Sequence, residues 1–165
     1  MRSQSRCRGQ RSSTLRCGAG FTLIEVMITV AIVALLASMA YPAYTASIIK
    51  SKRGEGRSAL IDLMQQQERY MTQRGCYGEV GSTGCSAIAA GSSTAPFKLY
   101  SGNSPTGAAY LLGVRNCVAP LPIVLSDCAE LFAAPQFTDA KVGELFIRST
   151  GEKGCSGTDQ SACWK

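Results

Sequence analysis

The chain has 165 residues, with 17 Lys and Arg against 11 Asp and Glu, eight cysteines and no histidine. Without histidine the commonest general base and metal ligand is missing, and so many cysteines in a short chain point to an oxidising compartment. The formal charge of +6 comes from one end: Arg2, Arg6, Arg8, Arg11 and Arg16 precede residue 20 without an acid, and the remaining twelve cations nearly balance the acids, so charge alone does not indicate a nucleic-acid partner.

In chain order, residues 1–20 read as a basic, Ser-rich leader whose arginines favour the cytoplasmic side of a membrane. Residues 21–49 read as one apolar helix. Val26 to Ile49 is a run of 24 residues without a charge, about 36 Å of helix at ~1.5 Å per residue, enough to cross a ~30 Å hydrocarbon core. Many of these residues are β-branched and would lean towards strand in water. In lipid a lone segment satisfies its backbone only as a helix. Glu25 stands at the start of this run, where a carboxylate demands a function. Pro42 removes a backbone donor and predicts a kink, with Tyr41 and Tyr44 beside it as interfacial rings.

Residues 50–75 continue as an amphipathic helix. Gly54 and Gly56 predict a soft point, since each glycine costs ~1 kcal/mol against alanine in a helix. From Ser58 onward Ala59, Leu60, Leu63, Met64, Gln67, Tyr70 and Met71 form one stripe, and Gly75 is its stop signal. Residues 76–165 form the head. Cys76 to Pro96 reads as a loop. Phe97–Ser101, Ala108–Asn116 and Gly143–Arg148 read as strands, the last followed by a turn at Ser149–Glu152. Asn116 to Lys141 is broken by Pro120 and Pro122 and gives no clear element. Of the cysteines, Cys7 and Cys17 fall in the leader. The other six favour sequential pairing, Cys76–Cys85, Cys117–Cys128 and Cys155–Cys163, because these close the shortest loops. Disulfides place the head on the periplasmic or outer side of the membrane.

The stretch Gly20-Phe21-Thr22-Leu23-Ile24-Glu25 ahead of an apolar helix resembles the class III signal of type IV pilins and pseudopilins. The resemblance implies that a prepilin peptidase cuts after Gly20 and methylates the amine of Phe21, and that Glu25 and Pro42 serve assembly. It implies an α+β pilin-like fold: a long N-terminal helix, transmembrane in its first half, packed on a small antiparallel sheet. The tail from Asp139 to Trp164 resembles PilE-type minor pilins, but Val142 stands where that group usually has a cysteine, which leaves Cys155 as the nearest partner for Cys163.

No pair of side chains resembles a nucleophile with its base, and the cysteine spacings do not suit a metal. Asp127 with Glu130 and Asp139 with Glu144 read as solvated surface acids. The expectation is therefore a structural subunit, not an enzyme, with no cofactor, metal or small-molecule substrate. Its implied partners are prepilin peptidase, other pilin subunits, the inner-membrane assembly platform and the membrane itself. It would be a single-pass inner-membrane protein before joining an extracellular fimbrium. The alternatives are a type II secretion pseudopilin and a DNA-uptake pilin. The latter needs a basic, aromatic-bearing stripe, for which Arg115, Lys141, Arg148 and Lys153 are scattered in the sequence.

Overall fold

The computed structural model describes residues 21–82, 84–117 and 124–165. The leader, including Gly20, Cys7 and Cys17, and the apolar residues around Leu121–Ile123 lie outside the described residues. A single α-helix, α1 (Leu23–Arg74), is followed by six strands: β1 (Glu79–Gly81), β2 (Gly84–Ser86), β3 (Tyr110–Asn116), β4 (Ala129–Pro135), β5 (Leu145–Arg148) and β6 (Lys153–Cys155). A short 3₁₀ turn at Gln160–Ala162 closes the described chain. The residues through Pro42 form one compact unit and Ala43–Lys165 a second.

In the first unit the helix starts at a cap. The Thr22 hydroxyl accepts from the backbone N–H of Glu25 at 3.3 Å, the first half of a Thr-x-x-Glu capping box. Along the rest of the unit the apolar side chains, Leu23 through Met39, face outward with no protein cover. Its hydroxyls turn back on their own helix: Thr29 donates to the Val26 carbonyl at 2.9 Å and Ser38 to that of Leu35 at 2.7 Å. Both polar groups are thereby satisfied without water. The helix is long and apolar enough to span a membrane, and it runs through Pro42 without a break in its helical assignment.

In the second unit β3, β4, β5 and β6 form an antiparallel meander in sequence order, and β1 pairs with β2 as a separate hairpin. Period-two alternation turns Tyr110, Leu112 and Val114 of β3 inward, with Ala129, Leu131 and Ala133 of β4 and Leu145 and Ile147 of β5. Leu60 and Leu63 of α1 are fully buried in the same core as these residues, together with Leu99, Val142 and Cys163. The stripe of spacing three and four thus packs on the sheet. Gln67 continues it and is also fully buried. Its Oε1 accepts from the Gly78 backbone N–H at 2.7 Å, holding the turn after the helix.

Four expectations are corrected here. Gly56 is not a soft point: a Cβ built on it would lie 2.7 Å from the Tyr110 ring, so glycine lets helix and sheet approach. The Cys76–Pro96 segment contains the β1–β2 hairpin, which is too short for a periodic signal. Phe97–Ser101 is not a strand of the sheet. Leu99 accepts from Leu112 and Ser101 donates to Tyr110, but only an isolated bridge at Tyr100 forms. Finally, the illegible region contains the central strand β4, whose alanines are weak strand formers held by partners on both sides.

The helix stop at Gly75 is structural. Gly75 has φ +68° and its N–H donates to the Met71 carbonyl at 2.8 Å, an αL cap that side chains with a Cβ adopt poorly.

Candidate functional site

Two surfaces carry the chemistry of this chain: the apolar first unit with its acid, and the outer face of the sheet. Phe21 lies just before α1 and is 81% exposed. Glu25 sits in the first helical turn, where the exposed N–H groups of the helix end favour a negative charge. Pro42 is the last residue of the first unit. Thr22, the capping residue, escaped the sequence reading; the Thr-x-x-Glu spacing is the signal that identifies it.

The six head cysteines form three bonds between sequence neighbours. Cys76–Cys85 ties the end of α1 to β2. Cys117–Cys128 closes the segment between β3 and β4, and Cys155–Cys163 fastens the C-terminal turn to β6. Val142 is fully buried in the core near this last bond.

On the outer face of the sheet the register aligns Gly113, Phe132, Phe146 and Gly154 in one row across the four strands. Both phenylalanine rings lie over the flanking glycines; a Cβ on Gly113 would meet Phe132, and one on Gly154 would meet Phe146, each at 2.5 Å. The next row is Arg115, Glu130 and Arg148. Arg115 donates to Glu130 at 2.8 Å and to Glu144 at 2.7 Å. Arg148 donates to the other oxygen of Glu130 at 2.8 Å and to Glu152 at 2.5 Å. Each guanidinium also stands over a ring, Arg115 over Phe132 and Arg148 over Phe146.

Asp127 is exposed, as read from the sequence, but Glu130 and Asp139 are not solvated acids. Glu130 is 3% exposed and bound by two arginines. Asp139 is buried against Arg53 of α1, which donates to both its oxygens at 2.7 Å. That bidentate bond holds the Asp139 carboxyl below the usual carboxylate range against the opposing effect of burial. The nearby Tyr110 hydroxyl is pushed up to about 12 by burial and by the Asp139 charge. No metal-like cluster of His, Cys, Asp and Glu occurs among the described residues.

These features coincide with what the chain is similar to. Residues 15–41 match the model of the prokaryotic N-terminal methylation motif, and residues 42–118 match that of the type IV minor pilin ComP, DNA uptake sequence receptor. Over both stretches the chain is similar to the type IV pilin family. It is 38% identical over 69 residues to a type IV major fimbrial protein FimA of Dichelobacter nodosus, covering 42% of this chain and 43% of that protein. It is 37% identical over 60 residues to the type IV major pilin protein PilA of Myxococcus xanthus, covering 36% of this chain and 27% of that one. The matched stretch therefore spans less than half the length of either pilin. No solved structure gives a significant match. The long apolar helix followed by small antiparallel sheets is the α+β architecture expected of a pilin.

Proposed function

We propose that this chain is a structural subunit of a type IV pilus, a minor pilin that prepilin peptidase cleaves after Gly20 and methylates at Phe21. The observation that carries the proposal is the uncovered apolar helix that begins at Leu23, just after Phe21. Such a surface is stable only in lipid or against other apolar helices. The subunit waits in the inner membrane with its disulfide-bonded head in the periplasm, and the assembly platform transfers it into a filament. There the helix packs against copies of itself or of other pilins. After cleavage the amine of Phe21 is positive and lies four residues from the Glu25 carboxylate. The amine of an incoming subunit meets the Glu25 of its neighbour, because a buried unpaired charge costs several kcal/mol. Pro42 serves the same packing by adjusting the helix. The chain is thus the substrate of an enzyme and has no catalytic role of its own.

The test is the location of tagged protein in sheared pilus fractions from wild-type and Glu25→Ala cells. Wild-type protein is expected in the fraction, and the variant is expected to be cleaved but poorly incorporated. A wild-type protein absent from sheared pili but needed for secretion would instead indicate a pseudopilin.

A second reading, a DNA-uptake pilin, is favoured by the match of residues 42–118 to the ComP family. The outer sheet face does not supply the cationic stripe, because Arg115 and Arg148 are neutralised by Glu130, Glu144 and Glu152. The better contacts are Lys98 over Tyr100 and Lys153 over Trp164, at 5.3 and 5.2 Å, which pair a cation with an aromatic face. A shift of labelled duplex DNA by the wild-type chain, lost in Lys98→Gln/Lys153→Gln, supports this reading; no shift at low salt refutes it.

A further inference from the structure

Lys50 is the first charged residue after Glu25, and it stands where the uncharged run of α1 ends. Lys50, Arg53 and Arg57 are spaced three and four apart, so they share one face of the helix. With Ala46 and Lys165 they line a cavity of about 340 Å³. Lys141 lines an adjoining cavity of about 290 Å³ that shares Ala46 and Arg53.

The charges in this region do not cancel. Arg53 is held by Asp139, and Asp159 lies close enough to act on Lys141 and Arg53. Arg57 donates to the main-chain oxygen of Lys165. The ammonium groups of Lys50, Lys141 and Lys165 have no ion-pair partner among the described residues. The first cavity is thus lined both by cations and by the small apolar side chains of Ala46 and Ala162, each set drawn from α1 and from the C-terminal segment. A phosphodiester attached to a glycerol backbone and acyl chains offers the matching combination of anionic and apolar groups. A free phosphate would use only the cationic part.

We propose that the Lys50, Arg57 and Lys165 cluster is a binding site for the phosphate headgroup of an anionic phospholipid, occupied while the subunit waits in the membrane. The proposal rests on the reading that residues 26–49 cross the bilayer, since only then do these cations lie in the headgroup layer. Site occupancy would hold the base of the head at the membrane surface until extraction into the filament strips the lipid away. A lysine or arginine near an anionic surface contributes about five-fold to binding, so two lysines together contribute about thirty-fold.

The test uses the full chain, purified in a neutral detergent and supplied with phosphatidylglycerol or phosphatidylcholine, with retained lipid read by native mass spectrometry. Wild type is expected to keep phosphatidylglycerol in preference to phosphatidylcholine by at least ten-fold. Lys50→Gln/Lys165→Gln is expected to lose that preference, and Lys50→Arg/Lys165→Arg to keep it. An unchanged circular dichroism spectrum in the Gln variant shows that the loss is local. Equal retention of the two lipids by wild type, or an unchanged preference in the Gln variant, overturns the proposal. Displacement of the lipid by millimolar inorganic phosphate overturns it in favour of a free-phosphate site, and displacement by a short DNA duplex in favour of a nucleic-acid site. Carbonate extraction of cell membranes separates the underlying reading. A chain that is released from membranes refutes the membrane span itself, whereas a chain that stays without lipid preference refutes only the headgroup site.

Discussion

Gly54 and Gly56 stand two residues apart in the same helix, and substitution by alanine is expected to act on them with opposite sign. Helix propensity alone favours alanine at both by ~1 kcal/mol. At Gly54 an added Cβ has only the far end of Arg57 within reach, at 4.0 Å, so the gain is realised. At Gly56 the Cβ would meet three atoms of the Tyr110 ring at 2.7, 2.9 and 3.1 Å. Tyr110 is fully buried and packed edge-on against Phe137. Overpacking of this kind costs about 1–3 kcal/mol. Set against the propensity gain, Gly56→Ala is expected to lose up to about 2 kcal/mol, and Gly54→Ala to gain about 1. Thermal unfolding of the full chain in detergent, followed by circular dichroism, reads both. At this size about 1 kcal/mol corresponds to a midpoint shift of roughly 4 °C. The expected result is a rise for Gly54→Ala and a fall for Gly56→Ala. If both variants rise equally, the close approach of helix and sheet at Gly56 is wrong.

Asp139→Asn removes the partner of a largely buried arginine and is expected to destabilise the head by about 3 kcal/mol in thermal unfolding near neutral pH. Because the folded-state carboxyl of Asp139 is held below its ordinary value, its contribution is complete above about pH 3.9 and is lost as pH falls from there through the lowered value. The gap between wild type and Asp139→Asn should therefore narrow under acid, and a gap constant down to pH 2 would contradict the ion pair. Glu130→Gln, between two arginines, is expected to cost about 2 kcal/mol or more, and Glu152→Gln, at an exposed carboxylate, less than about 0.5. Equal costs in chemical denaturation would show that the buried position of Glu130 is immaterial. Intact-mass analysis of membrane-extracted protein is expected to give a chain beginning at methylated Phe21, and an uncleaved leader in cells with active peptidase would count against the processing reading.

The sequence by itself determined the features that local physics dictates. An uncharged run of 24 residues can only be a helix in lipid, and the stripe through Leu60, Leu63 and Gln67 marks which face of its continuation is buried. The glycine at position 75 stops the helix because only its φ suits the cap. The alternation of Tyr110, Leu112 and Val114 likewise marks a strand with one buried face. What tertiary structure decided lies where the meaning of a residue depends on a distant neighbour. Glycine 56 reads as a helix weakness until the Tyr110 ring, 54 positions later, occupies the place of its side chain. Ala129–Pro135 has little intrinsic strand preference and becomes the centre of the sheet because β3 and β5 hydrogen-bond it on both edges. Glu130 and Asp139 read as solvated acids because burial of a carboxylate is normally prohibitive; the arginines that offset its cost come from other elements, and sequence spacing carries no record of them.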